Sequence, residues 1–100
     1  MKGNRISTHP GALLKGELAE RGLSANRLAL ALGVPAGRIL DILRQRRGIT
    51  PDTAIRLAAF FGGEPRFWLN LQAAHDLSRL EVEKGQAIRA QVRVPAAWAP

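Results

Sequence analysis

The sequence predicts an all-α domain of five helices, closed by a tail of different character. Three observations carry that reading. Apolar residues recur at spacings of three and four from Leu13 to Leu77, the period of a half-buried helix. Proline and glycine fall about one helix length apart, proline where helices start and glycine where they stop. One hundred residues suffice for one modest core, so a single domain is expected.

The first helix lies in "HPGALLKGELAERG", which starts at Pro10 and stops at Gly22. Leu14 and Leu18 lie four apart, with Leu13 beside them, and form one apolar stripe. Ser24 suits the N-cap of a second helix that carries Leu28, Ala29 and Leu32 on one face and ends at Gly33. The third begins near Pro35 and buries Ile39, Ile42 and Leu43. In "GITPDTAIRLAAFFGG", Thr50 serves as N-cap, Pro51 fits the first helical position, and Asp52 suits the positive end of the helix dipole. Ala54, Leu57, Ala58 and Phe61 make the stripe of this fourth helix, and Gly62 and Gly63 end it. Pro65 opens a longer fifth helix to about Glu83, with Trp68 and Leu71 inward and Ala74 and Leu77 continuing that face. Gly85 then breaks the pattern.

The tail reads differently. In "AIRAQVRVP", Ile88, Ala90, Val92 and Val94 alternate with Arg89, Gln91 and Arg93, the period of a strand. A lone strand needs a partner edge, and a disordered basic tail is the equal alternative. The expected organisation is an N-terminal arm of residues 1–8, a domain of residues 9–84, and a tail of residues 85–100 that pairs as a strand in a dimer or stays disordered.

Charge narrows the function. Fifteen Lys and Arg against eight Asp and Glu give a formal net charge of +7, and twelve of the fifteen are arginine. Arginine forks onto phosphate and base edges, so a polyanionic partner is expected. The absence of cysteine excludes disulfides and thiolate metal sites. The most apolar stretch, Leu28 to Gly37, is far shorter than the roughly 20 residues of a membrane span, and Met1 to Thr8 is too poor in apolar residues for a signal peptide. A cytoplasmic protein without membrane association is the expectation.

The run "SANRLALALGVPAGRILDILRQRRG" carries the functional signal. Its Gly-Val-Pro break makes a bent helix pair, with Ala29 small enough for a close crossing and Gly33 free to turn left-handed. This is the spacing of a helix-turn-helix, whose second helix enters the DNA major groove; an ordinary helical hairpin is the alternative. With Ile39 and Ile42 turned inward, Ala36, Gly37, Leu40, Asp41 and Arg44 face outward and Arg38 lies on the flank. Ala36 and Gly37 permit close backbone approach to base edges, and Arg38 reaches guanine O6 and N7. Leu40 either meets thymine methyl groups or packs half-buried. Asp41 either accepts from cytosine N4 or pairs with Arg38 or Arg44, the pairing being favoured. Arg44, Arg46 and Arg47 suit phosphate, as do Ser24, Asn26 and Arg27 at the start of the preceding helix.

Enzyme chemistry finds no support. His9 and His75 are far apart in sequence and lack metal-ligand spacing, which suits an N-terminal packing residue and a helix-surface residue. The His75, Asp76 and Ser78 neighbours point in different directions on one helix. No phosphate loop or oxyanion hole is evident, so no catalytic residue, cofactor or metal is assigned.

From His9 to Leu77 the chain resembles the HigA antitoxins, plasmid-maintenance antidote proteins of the Xre-like helix-turn-helix class. The resemblance rests on His-Pro-Gly at residues 9–11, the "RRGIT" turn with "DTAIRLA", and "FWLNLQ" from Phe67 to Gln72. It implies a lambda-repressor-like fold and a homodimer that binds an inverted-repeat operator and represses its own operon. It also implies a partner, a RelE-like ribonuclease toxin of the HigB kind, that the antitoxin silences. Arg38 falls at the family's recognition-helix arginine. Ala25, Gly37 and Leu40 depart from the common glutamine, asparagine and serine, which puts the operator sequence in doubt. An orphan or phage-type repressor without a toxin is the alternative, and a basic protein-interaction module is the more distant one.

Overall fold

A computed structural model describes residues 5–100; the first four residues of the expected N-terminal arm lie outside it. Five helices follow in order: α1 (Pro10–Arg21), α2 (Ala25–Leu32), α3 (Ala36–Leu43), α4 (Pro51–Phe61) and α5 (Pro65–Gln91). A 3-10 turn, Ala96–Trp98, follows near the C-terminus.

The expected caps form. Ser24 Oγ accepts from the Arg27 N–H at 3.1 Å, and Thr50 Oγ1 accepts from the Thr53 N–H at 3.4 Å. Gly22 and Gly33 end α1 and α2 at φ 61° and 74°, conformations that a side chain adopts only at a cost. The apolar stripes converge on one core: Leu14, Leu18, Leu28, Ala29, Leu32, Ile39, Ile42, Ile49, Ala54, Leu57 and Trp68 are buried together. Leu43 and Phe61 pack on its margin, half-buried.

The opening His-Pro-Gly acquires a physical reason. His9 is the buried N-cap of α1, its Nδ1 accepting from the Gly11 N–H at 2.9 Å. Gly11 lies against the end of α3: a Cβ built there would sit 2.0 Å from the Ile42 carbonyl oxygen. No side chain fits. His75, expected on the helix surface, is half-buried there and makes contacts of its own. Its ring meets that of His9 edge-on at 4.9 Å, and its Nδ1 donates to the Ser7 carbonyl at 2.7 Å. The Ser7 N–H donates to Ser78 Oγ at 2.7 Å, so the chain before α1 is tied to α5 at two points. Burial, then the neighbouring His75, hold the His9 pKa below its ordinary value, consistent with an imidazole that accepts through Nδ1.

The far end of α5 corrects the sequence reading in three ways. The helix runs past Glu83 to Gln91, Gly85 does not break it, and Ile88 to Gln91 are helical where either a strand or a disordered tail was expected. Val92 leaves the helix with an extended backbone, and Val92 to Pro95 form no strand among the described residues. Ala74 and Leu77 do not continue the buried face; both are exposed. At about 1.5 Å per residue, a 27-residue helix is roughly 40 Å long. The molecule measures 56 × 23 × 22 Å, so the distal half of α5 projects from the body. An ion pair between Glu81 and Arg89 runs along it and covers Gly85, whose missing Cβ would lie 2.3 Å from Glu81 Oε1. Arg89 holds the Glu81 carboxyl below the usual range. Among the described residues no helix is long and apolar enough to cross a membrane.

Candidate nucleic-acid interface

The bend between α2 and α3 is built from backbone hydrogen bonds. The Val34 N–H donates to the Ala29 carbonyl at 3.0 Å and the Gly33 N–H to Leu30 at 3.2 Å, which closes α2 and turns the chain back. Val34 packs on the core margin. Ile39 and Ile42 are fully buried and fix the roll of α3, so the helix presents its opposite side to solvent.

On that side the expected residues sit as follows. Gly37 is exposed, with open space where a Cβ would stand, and Arg44 is exposed at the helix end. Ala36, Leu40 and Asp41 are half-buried, Ala36 against the core margin. Asn26 and Arg27 lie exposed in the first turn of α2, beside the Ser24 cap. Arg46 and Arg47 are exposed in the loop after α3.

Asp41 does not take the partner expected of it. Its carboxylate lies 4.0 Å from Arg47, and neither Arg38 nor Arg44 engages it. Arg38 reaches across to α4 instead and donates through Nη1 to Asp52 Oδ2 at 2.6 Å. Asp52 wins because its carboxylate is already in place. It stands in the first turn of α4, where the dipole favours an anion, and Arg56 Nε four residues on donates to the same oxygen at 2.9 Å. Hydrogen bonds from Arg56 and then Arg38 hold the Asp52 carboxyl below its ordinary value. Arg56 in turn donates through Nη1 to the Leu32 carbonyl at 2.7 Å, capping the end of α2. Sequence reasoning missed this hub, although the four-residue spacing of Asp52 and Arg56 signalled half of it.

The arginine loop leaves α3 through Gln45, which carries φ 62° without being a glycine. Gln45 N–H donates to Ile42 at 2.9 Å and Arg46 N–H to Asp41 at 2.8 Å, the pairing that usually recruits glycine at this position. Farther on, Gln72 of α5 grips the loop: its Oε1 accepts from the Ile49 N–H at 2.8 Å, and its Nε2 donates to Asp76 at 3.0 Å. Gly48 leaves room for this, since a Cβ there would stand 3.0 Å from the Gln72 amide. The "RRGIT" and "FWLNLQ" segments are therefore two sides of one contact.

Known proteins match the chain along most of its length. The helix-turn-helix family profile covers residues 14–68. The virulence-associated protein I of Dichelobacter nodosus is 49% identical over 84 residues, which span 83% of this chain and 78% of that protein. An addiction module antidote protein of a HigA family from Coxiella burnetii has 43% identity and a TM-score of 0.84, over 91% of this chain and all of that one. The antitoxin GraA in complex with its operator has 40% identity and a TM-score of 0.86, over 96% of this chain and 98% of that one.

Proposed function

The chain belongs to the helix-turn-helix family, among the HigA-type antidote proteins, and from that membership we propose that it binds operator DNA as a homodimer and represses its own operon. One observation carries the reading. Ile39 and Ile42 anchor α3 so that its solvent side, with Gly37, Leu40 and Arg44, opens outward and leads directly into Arg46 and Arg47. A relative of 40% identity holds its operator on the same fold. Ala36, Gly37, Arg38, Leu40 and Asp41 meet base edges in this reading, and Ser24, Asn26, Arg27, Arg44, Arg46 and Arg47 meet phosphate.

The test separates the two classes of contact. Arg38→Ala is expected to cost about 1–3 kcal/mol of specific binding and to relax preference at one base position. Arg46→Ala weakens all sequences alike and flattens the salt dependence by about one unit of slope. Gel shifts across a salt series, on duplexes from the chain's own promoter region, read both. If Arg38→Ala leaves affinity and sequence preference intact, α3 is not the reading helix.

The second half of the function is neutralisation of a basic RelE-like ribonuclease toxin of the HigB kind. The acids away from α3 support it: Glu17 and Glu20 on α1, and Asp76, Glu81 and Glu83 along α5. Glu17 pairs with Arg21 and Glu81 with Arg89, so these faces are mixed in sign rather than purely acidic. Complementary patches of this kind orient a partner more than they set affinity. Adding toxin to the protein–operator complex is expected to give a slower, three-component species in a gel shift. Stoichiometric release of free DNA would place the toxin on the α3 face instead.

A further inference from the structure

Arg38, Asp52, Arg56 and the Leu32 carbonyl form one continuous chain of hydrogen bonds, at 2.6, 2.9 and 2.7 Å, through α3, α4 and the end of α2. Each link limits the next. Arg56 is anchored at the α2–α3 turn, where a Cβ on Gly33 would approach its Nη1 to 3.4 Å. Its Nε then fixes the oxygen of Asp52 that receives Arg38. A free arginine is among the most rotamer-rich side chains, and ordering it on DNA counts against binding. Here the ordering is done beforehand.

We propose that Asp52 is a positioning residue for base reading: its carboxylate, held by Arg56, sets the reach of the Arg38 guanidinium and with it the base that Arg38 selects. The inference rests on the DNA-reading role of α3 proposed above. Three features favour it over a plain surface ion pair. Asp52 is exposed, and isolated exposed pairs add little stability, so stability alone gives no reason for α3 and α4 to meet at it. Two guanidiniums share one carboxylate, which leaves the hub net positive and attractive to DNA. Arg38 spends one of five N–H donors on Asp52, so four remain, enough for a bidentate contact with guanine.

The opposing reading is a latch, in which Asp52 holds Arg38 away from DNA and competes with it. A selection from double-stranded DNA with a randomised core of about 20 base pairs, matched to two half-sites one helical turn apart, distinguishes them. The protein, Asp52→Asn, Arg38→Ala and the double variant are compared at one salt concentration. The expected result is a half-site position lost in Arg38→Ala, at which Asp52→Asn also lowers discrimination by about tenfold while the other positions keep theirs. The double variant loses no more than Arg38→Ala alone, and Asp52→Glu recovers part of the discrimination. A general gain in affinity from removing one negative charge does not imitate this, because it leaves the ratio between sequences unchanged. Should Asp52→Asn fail to fold by circular dichroism, Arg56→Gln releases the same carboxylate and is expected to lose the same position. Unchanged discrimination in the folded variant overturns the proposal and leaves a plain surface ion pair, whereas discrimination that rises at the Arg38 position overturns it in favour of the latch. Failure of the unmodified protein to enrich any sequence would overturn the DNA-reading role itself, and this inference with it.

Discussion

The two halves of α5 obey different rules. From Pro65 to about Asp76 the helix is part of the body: Trp68 is buried in the core, Leu69 and Leu71 pack on its margin, Gln72 grips the α3–α4 loop, and His75 meets His9. Beyond Ser78, the last residue tied to the chain before α1, the helix stands mostly in solvent, with Leu80, Val82 and Ile88 exposed, as Leu77 is just before it. The first half is specified by what it touches. In the second, the order has local sources: intrahelical hydrogen bonds, the Glu81–Arg89 pair, and the helix preference of its Ala, Leu, Glu, Lys, Gln and Arg residues. Where tertiary contacts are absent, local preference decides the conformation, and it also limits how much stability one side chain can carry.

That contrast sets the largest expected effect. Leu57→Ala in the core is expected to destabilise by about 2–5 kcal/mol in urea unfolding, because the cavity adds to the lost transfer energy. Leu77→Ala is expected to stay within about 0.5 kcal/mol. An equal cost at the two sites would show that a partner copy covers the distal helix in solution.

Two glycines sharpen the comparison inside the body. Gly11→Ala forces a methyl group into the Ile42 carbonyl and is expected to cost about 1–3 kcal/mol, read as a lowered midpoint of thermal unfolding. Gly16→Ala, later in the same helix and with open space around it, is expected to gain about 0.5–1 kcal/mol. Matching signs would mean that α1 does not seat against α3 as described.

The smallest effect is a dependence on pH. The folded His9 is held below the unfolded value of 6.5, chiefly by burial and then by His75, with Asp76 opposing and Arg79 assisting. The unfolded chain therefore binds more protons as pH falls below about 6.5, and the stability contributed by neutral His9 declines until pH passes its folded pKa. His9→Asn keeps an acceptor at the N-cap and removes this titration. Its stability is expected to fall less than that of the unmodified protein between pH 7 and 5. Parallel slopes would assign the pH dependence to other groups.

Much of the body was legible because short-range chemistry and burial agree there. Ser24, Gly33, Thr50 and Pro51 announce helix ends by their own backbone needs, and the spacing of Ile39 and Ile42 fixes which side of α3 points outward. The exit of α3 was not legible, since Gln45 takes a left-handed conformation that glycine usually marks. Contacts such as His9 with His75 or Arg38 with Asp52 join residues that only the tertiary fold brings together. The strand reading of Ile88 to Val94 failed for another reason. A few alternating residues cannot outweigh Ala, Arg and Gln that extend a helix already begun, and no partner edge is present among the described residues to repay extension.

The projecting half of α5 also gives the molecule two separate units of cooperativity. Fraying from Gln91 back toward Leu77 exposes little that is not already wet, so its free energy is far below that of global unfolding. Its amides exchange with solvent through these local openings, while those of α1–α4 wait for rarer events. A protease that captures an opened end can shorten the chain without unfolding the body that holds α3. Loss of the projecting segment and loss of the folded core are thus independent fates of one polypeptide.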